Sequence, residues 1–130
     1  MNPVRSAFLL GLALAALTAA ADGSPEPESQ RLARELRALI GEARCTSDSQ
    51  CRSLPVGAKA CGGPAGYWAW STQGTDAAAV AELARRQADA ERREVEASGL
   101  RSNCQVTPDP GVSCQANRCR PLTPPSRGGA

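Results

Sequence analysis

Six cysteines in a chain without histidine constrain the fold more than any other feature of this sequence. An even number of cysteines in a small exported domain is typical of a disulfide framework, and six thiols can form three bonds in fifteen different pairings. We expect Cys61 to pair with Cys104, while Cys45 and Cys51 pair with Cys114 and Cys119. Such long-range bonds would tie both ends of the domain to its centre.

Residues 1–21 have the pattern of a secretory signal peptide. Arg5 supplies the positive start, residues 7–17 are apolar, and small residues at 18–21 suit a signal peptidase. The apolar stretch is shorter than the roughly 20 residues that span a bilayer. We therefore expect cleavage after Ala20 or Ala21, no membrane insertion after cleavage, and a periplasmic or secreted protein.

The mature chain has little net charge and few large apolar side chains. Loss of Arg5 with the signal leaves 14 basic and 13 acidic residues, a net charge of about +1. Such a balance does not steer a protein toward nucleic acid or anionic membranes. Only Tyr67, Trp68 and Trp70 remain as aromatic residues, so disulfides, worth typically about 2 to 4 kcal/mol each, must supplement the core.

Hydrophobic spacing predicts two helices and several short extended segments. One helix is predicted over residues 29–44, and a second from Thr75 or Asp76 to Ser98 with Gly99 as its stop. The apolar stripe of the second helix is broken at Gln87 and Glu91, which predicts that its second half is more solvated. Extended segments are predicted at 51–57, 67–72, 104–107 and 119–122, with reversals at 108–111 and 116–117.

These elements predict one α+β domain over residues 29–122. In it a small antiparallel sheet is packed by two helices and stapled by disulfides. Residues 22–28 are predicted to be a flexible leader, and residues 123–130 a disordered tail because of their prolines and glycines.

Most catalytic chemistry is excluded by the missing histidine. The chain has no Ser-His-Asp or Cys-His site and no imidazole metal ligand. Its cysteines lack the paired C-x2-C spacing of zinc sites and the C-x-x-C of thiol oxidoreductases. We therefore expect no metal, no cofactor and no enzymatic activity. A hydrolase that uses two carboxylates is the weaker alternative, because the acidic residues lie mostly on charged helices.

Two segments supply candidate binding residues. The stretch between Cys51 and Cys61 contains Arg52 and Lys59, and a rigid loop that offers a basic side chain to a protease is one way in which small inhibitors bind. Trp68 and Trp70 lie on the same face of a predicted strand. They form either a ligand platform or part of the core, and the shortage of other aromatic residues favours the core.

The cysteine-rich motifs carry a resemblance to a family. Cys45-x-x-Asp48-x-Gln50-Cys51 is followed by Gly57-x-x-x-Cys61-Gly62-Gly63-Pro64 and by three later cysteines. In these motifs the chain resembles a group of small exported cysteine-rich bacterial proteins. The resemblance implies an exported single-domain protein with three disulfides, and it implies no activity.

The function predicted from the sequence is therefore that of a non-catalytic interaction or structural protein of the bacterial envelope or secretome. Its partner is an unknown protein or envelope component. The alternatives are an inhibitor of an extracellular hydrolase that uses the segment between Cys51 and Cys61, and the carboxylate-dependent hydrolase.

Overall fold

The computed structural model describes residues 23–122, which form two helices, a single 3-10 turn and four short strands. The elements are α1 (Glu28–Ile40), the 3-10 turn (Asp48–Gln50), β1 (Cys51–Val56), β2 (Gly66–Ser71), α2 (Ala77–Ser98), β3 (Val112–Gln115) and β4 (Arg118–Pro121). The α+β class with disulfide staples is confirmed. The predicted signal peptide and the predicted tail at 123–130 lie outside the described residues.

Glycine and aspartate set the ends of the helices. Helix α1 stops at Ile40 because Gly41 takes a left-handed φ of 58°, so the predicted extension to residue 44 was wrong. The α2 bounds agree with the prediction. Asp76 accepts the N–H groups of the first turn of α2, and Gly99 ends the helix with φ 67°.

Helix α1 packs along α2. Val80, Ala84 and Gln87 are buried in the first half of α2 and only Ala90 in the second, so the second half is more solvated, as predicted. Leu32 is completely buried, and Ala90 is 1% exposed. Gln87 is buried as well, and Glu94 accepts hydrogen bonds from Ser29 near the start of α1. The polar breaks in the apolar stripe are therefore covered by the rest of the protein, and only the last turn of α2 is fully exposed.

The four strands form two separate two-stranded antiparallel sheets instead of one. In the first sheet β1 pairs with β2. In the second, β3 and β4 form a hairpin whose turn residues, Ala116 and Asn117, both have positive φ, as a tight hairpin of this type requires. The hairpin places Cys114 opposite Cys119, as predicted. The segment predicted to be extended at 104–107 is irregular.

Three disulfides join the two sheets and the loops, in the expected pairing. The bonds are Cys45–Cys114, Cys51–Cys119 and Cys61–Cys104. The first two lie at the centre of the core, where they pack with Leu36, Leu54, Trp70 and Val80. The third joins two exposed cysteines outside the core.

Two features of the described part concern the compartment. Every cysteine is in a disulfide, which is typical of proteins in an oxidising compartment. Neither helix in the described range has the length and apolar character needed to cross a bilayer.

Candidate functional site: a groove at the edge of the first sheet

The two basic candidates from the sequence are both held by the fold. Arg52 is exposed, but its guanidinium donates hydrogen bonds to the Ser49 carbonyl (2.7 Å) and to its neighbour's carbonyl, that of Cys51 (2.8 Å). The Lys59 ammonium donates to the carbonyl of Gln105. The segment that contains them is not closed by its own disulfide, because its two cysteines bond elsewhere.

The two tryptophans have different surroundings although they share a face of β2. Trp70 is buried, 7% exposed, and belongs to the core. Trp68 is half-buried at the edge of the core. The guanidinium carbon of Arg37, on α1, lies 3.9 Å from the centre of the Trp68 ring, which is a cation–π contact. Of the four predicted binding residues, Trp68 alone lines the groove at the edge of β2.

A groove runs along the outer edge of β2, and we call it the β2-edge groove. The end of α1 with the residues after it forms one part of the lining, and the loop before β3 together with β4 forms another. The two parts meet where the Cys119 N–H donates to the Ala43 carbonyl (2.8 Å). The volume is about 1160 Å³, and the groove is lined by residues 37, 40–43, 65–69, 107–110 and 118–121. This is larger than most small-molecule pockets, which hold roughly 300 to 1,000 Å³.

The unpaired edge of β2 lines this groove. Thr72 donates its N–H to the Gln50 carbonyl (2.9 Å), which continues the β1–β2 register. Hydrogen-bonded and non-bonded pairs alternate along an antiparallel ladder, so Tyr67 and Ala69 direct their N–H and C=O groups away from β1. No further strand pairs with this edge within residues 23–122. The groove therefore offers backbone donors and acceptors that a peptide can use.

Both carboxylates that line the groove are engaged within the protein. Glu42 forms ion pairs with Arg118 (2.9 Å) and with Arg44. Asp109 accepts hydrogen bonds from the hydroxyl of a serine in β1 (2.7 Å) and from a glycine N–H (2.8 Å). Arg37 and Arg120 also line the groove. Neither of them has an ion-pair partner in the described part of the chain.

The arginine on the tryptophan can bind a further group. The Trp68 ring has no hydrogen-bond acceptor atom, so its contact with Arg37 leaves the five N–H donors in the guanidinium plane available to another group. Those donors match a carboxylate in a two-point hydrogen bond. The chemistry that the β2-edge groove favours is therefore recognition of a carboxylate beside an extended backbone.

Two carboxylates on α2 have a lowered pKa. Hydrogen bonds from Ser29 hold the pKa of Glu94 below its ordinary value. A hydrogen bond from the guanidinium of Arg85 likewise holds the pKa of Glu82 below its ordinary value. Both shifts favour the charged carboxylate.

The motif residues that carry the family resemblance have structural contacts. Asp48 accepts the N–H of Cys114 (2.7 Å) and so fixes β3 to the 3-10 turn. The Gln50 side chain accepts the N–H of Thr46 (2.7 Å) within the same loop. These contacts explain the motif as part of the disulfide framework.

Comparison with known proteins finds no relative of this chain. No protein-family model matches the chain, and the searches of curated proteins and of solved structures find no match. The site is therefore interpreted from its own residues.

Sequence reasoning did not find Arg37, Tyr67 or Arg120. Arg37 has the spacing of an ordinary solvated position on α1, and Arg120 lies in a segment with no special pattern. The three residues come together only because β2 and β4 return to the end of α1. A single cue existed in the sequence, which is that Tyr67 precedes the two tryptophans in a chain that is poor in aromatic residues.

Proposed function

We propose that this chain is an exported, non-catalytic binding protein of bacteria that recognises a protein partner through the β2-edge groove. The observation that carries the proposal is the Arg37 guanidinium stacked on Trp68 beside the unpaired edge of β2. Exposed polar groups of a sheet edge together with an aromatic side chain are common parts of peptide-binding surfaces. The six cysteines and the apparent signal sequence support an extracytoplasmic site of action.

The alternative of a protease inhibitor has less support. Such an inhibitor presents its basic side chain on a rigid, accessible loop. Here the Lys59 ammonium donates to the carbonyl of Gln105, next to Cys104, and the Arg52 guanidinium donates to the carbonyls of Ser49 and Cys51. The groove, by contrast, keeps two arginines without acidic partners in the described residues.

The proposal is tested by site-specific photo-crosslinking in an envelope extract. A photoreactive phenylalanine replaces Tyr67 or Arg120 in the groove, and Arg86, exposed on α2 and outside the groove, serves as the control position. We expect the two groove positions to crosslink the same protein, identified by mass spectrometry, and Arg86 to give none of it. Adding Arg37→Gln to the Arg120 crosslinker should reduce the yield. Equal crosslinking at Arg86, or none in the groove, would contradict the proposal.

A further inference from the structure

The outer edge of β2 has the spacing of a docking strand. Tyr67 and Ala69 are two residues apart, so their outward N–H and C=O groups repeat about every 7 Å, the two-residue repeat of an extended chain. Four hydrogen bonds are available to a strand that lies beside them. Neither residue donates or accepts a backbone hydrogen bond outside the β1–β2 ladder in the described structure.

The walls of the groove select the charge of such a strand. Arg37 contacts Trp68 on one face of the first sheet, and β4, which carries Arg120, is bonded to Cys51 on the other face. Both arginine side chains are exposed and line the groove. Side chains of an added strand point alternately to the two faces of the sheet. Neighbouring acidic residues of one peptide could thus reach the two arginines, one from each face of the sheet.

We infer that the β2-edge groove binds an extended acidic peptide segment of a partner protein, which adds to β2 as a third strand of the first sheet. The inference rests on the proposed function and names the class of ligand. Backbone hydrogen bonds to Tyr67 and Ala69 hold the segment in register, and ion pairs to Arg37 and Arg120 select its acidic side chains.

Two other occupants fit the groove less well. The segment at 123–130 contains no acidic residue, and two of its eight residues are prolines, which have no N–H to donate. A second copy pairing through its own β2 would present Gly66–Ser71, which has no charged side chain for the arginines.

The test measures binding of synthetic peptides to the mature protein by fluorescence anisotropy. The probe is a labelled eight-residue peptide in which neighbouring glutamate pairs alternate with pairs of valines, so that each face of the strand carries glutamate. Its matched control has glutamine in place of every glutamate. A third peptide is N-methylated at alternate residues, which removes the N–H groups on one edge. We expect the glutamine peptide to bind at least about fivefold more weakly, and methylation on the edge that faces β2 to abolish binding.

Variants of the protein assign the binding to the groove. Arg37→Gln and Arg120→Gln should each weaken binding of the acidic peptide about fivefold, whereas Arg86→Gln, which removes the same charge from α2, should not change it. Hydrogen exchange of the Tyr67 and Ala69 amides should slow when the peptide is present. This readout depends on the added strand and not on overall charge.

Several results would overturn the inference. Equal binding of the glutamate and glutamine peptides, or an unchanged exchange rate of the Tyr67 and Ala69 amides, would rule out an acidic third strand. A dimer in solution that dissociates when Tyr67 is replaced by proline would assign the groove to a second copy. Peptide binding that appears only after removal of residues 123–130 would assign the groove to that segment. If the photo-crosslinks identify a groove partner while the acidic peptide fails to bind, the class of ligand is wrong and the proposed function stands. If both experiments fail, the groove is not the binding site.

Discussion

At the scale of single residues, Ser29 and Glu94 join the start of α1 to the last turns of α2. The Ser29 N–H donates to one carboxylate oxygen of Glu94 at 3.0 Å, and its hydroxyl donates to the other. These donors lower the pKa of Glu94 below its ordinary value of 4.5. The folded protein therefore binds this proton more weakly than the unfolded chain does, and stability depends on pH.

We predict that Glu94→Gln lowers the free energy of unfolding at pH 7. A depressed carboxyl pKa contributes stability that is fully present above the unfolded pKa of about 4.5 and is lost as the pH falls through the folded pKa. The difference between the two proteins should therefore shrink from pH 5 to pH 3, as measured by urea unfolding. Glu96→Gln, an exposed change on the same helix, is the control. A difference that stays constant with pH would contradict this account.

Gly57 is a second residue whose identity the fold requires. It has a φ of 73°, and its N–H donates to the buried side chain of Gln87 (2.8 Å). A Cβ at this position would lie 2.8 Å from the Cβ of Ala65. Gly63 has a similar φ of 79° but open space where its Cβ would be.

We predict that Gly57→Ala destabilises the protein by about 2 kcal/mol more than Gly63→Ala does. Both changes carry the same left-handed backbone cost of about 1 to 2 kcal/mol, so the difference isolates the steric clash. Thermal and urea unfolding of the two variants measure it. Equal losses of stability would show that the backbone near Gly57 moves without cost.

At the scale of elements, the disulfides fall into two classes. Cys51 and Cys119 are 4% and 6% exposed, and they join β1 to β4 inside the core. Cys61 and Cys104 are exposed and join two irregular loops. Reducing agents reach an exposed sulfur more readily, and the rate of thiol–disulfide exchange depends on this access.

We predict that mild reduction without denaturant opens Cys61–Cys104 first. Alkylation of the new thiols followed by peptide mapping should label these two cysteines before the other four. The Trp70 environment should persist at this stage, because the two core bonds remain and neither exposed cysteine is part of the core cluster. Early labelling of Cys45 or Cys51 would contradict the prediction.

The sequence predicted the elements better than their arrangement. The stop of α2 at Gly99 and the facing of Cys114 and Cys119 follow from local chemistry, since glycine favours left-handed backbone and a two-residue turn sets the register. The end of α1 was missed because Gly41 breaks the helix while apolar spacing continues to Ala43. Local patterns also do not state how many sheets the strands form.

At the scale of the whole molecule, the core depends on its cross-links. Its largest fully buried side chains are leucines and a valine, and three half-cystines lie among its members. Cross-links over 68 and 69 residues each restrict the unfolded chain by about 4 kcal/mol on the entropic model. Few other apolar contacts are available to replace that contribution.

We predict that complete reduction unfolds the domain. The near-ultraviolet circular dichroism of Trp68 and Trp70 should disappear when all six cysteines are reduced, and reoxidation should restore it. The control is the same protein alkylated without reduction, which has no thiol to react and should keep its spectrum. A fully reduced protein with the native spectrum would contradict the prediction.

The candidate site could not be predicted from the sequence because it exists only in the assembled molecule. Its residues come from four segments between positions 37 and 121. Trp68 was a candidate from its residue type, whereas Arg37 was identified only by its contact with that ring. Whether an edge of β2 stays unpaired likewise depends on where the other strands lie, and no local sequence motif indicates that.

Pro55 makes the two edges of the first sheet unequal in their capacity to bind another strand. It faces Tyr67 in the β1–β2 register, so its ring nitrogen lies on the outer side of β1, where it has no hydrogen to offer. A further strand added at β1 would lose a ladder hydrogen bond at this proline, whereas the residues of β2 keep all their N–H groups. Pro55 therefore disfavours elongation of edge-to-edge stacks of copies, which would need both edges of the sheet.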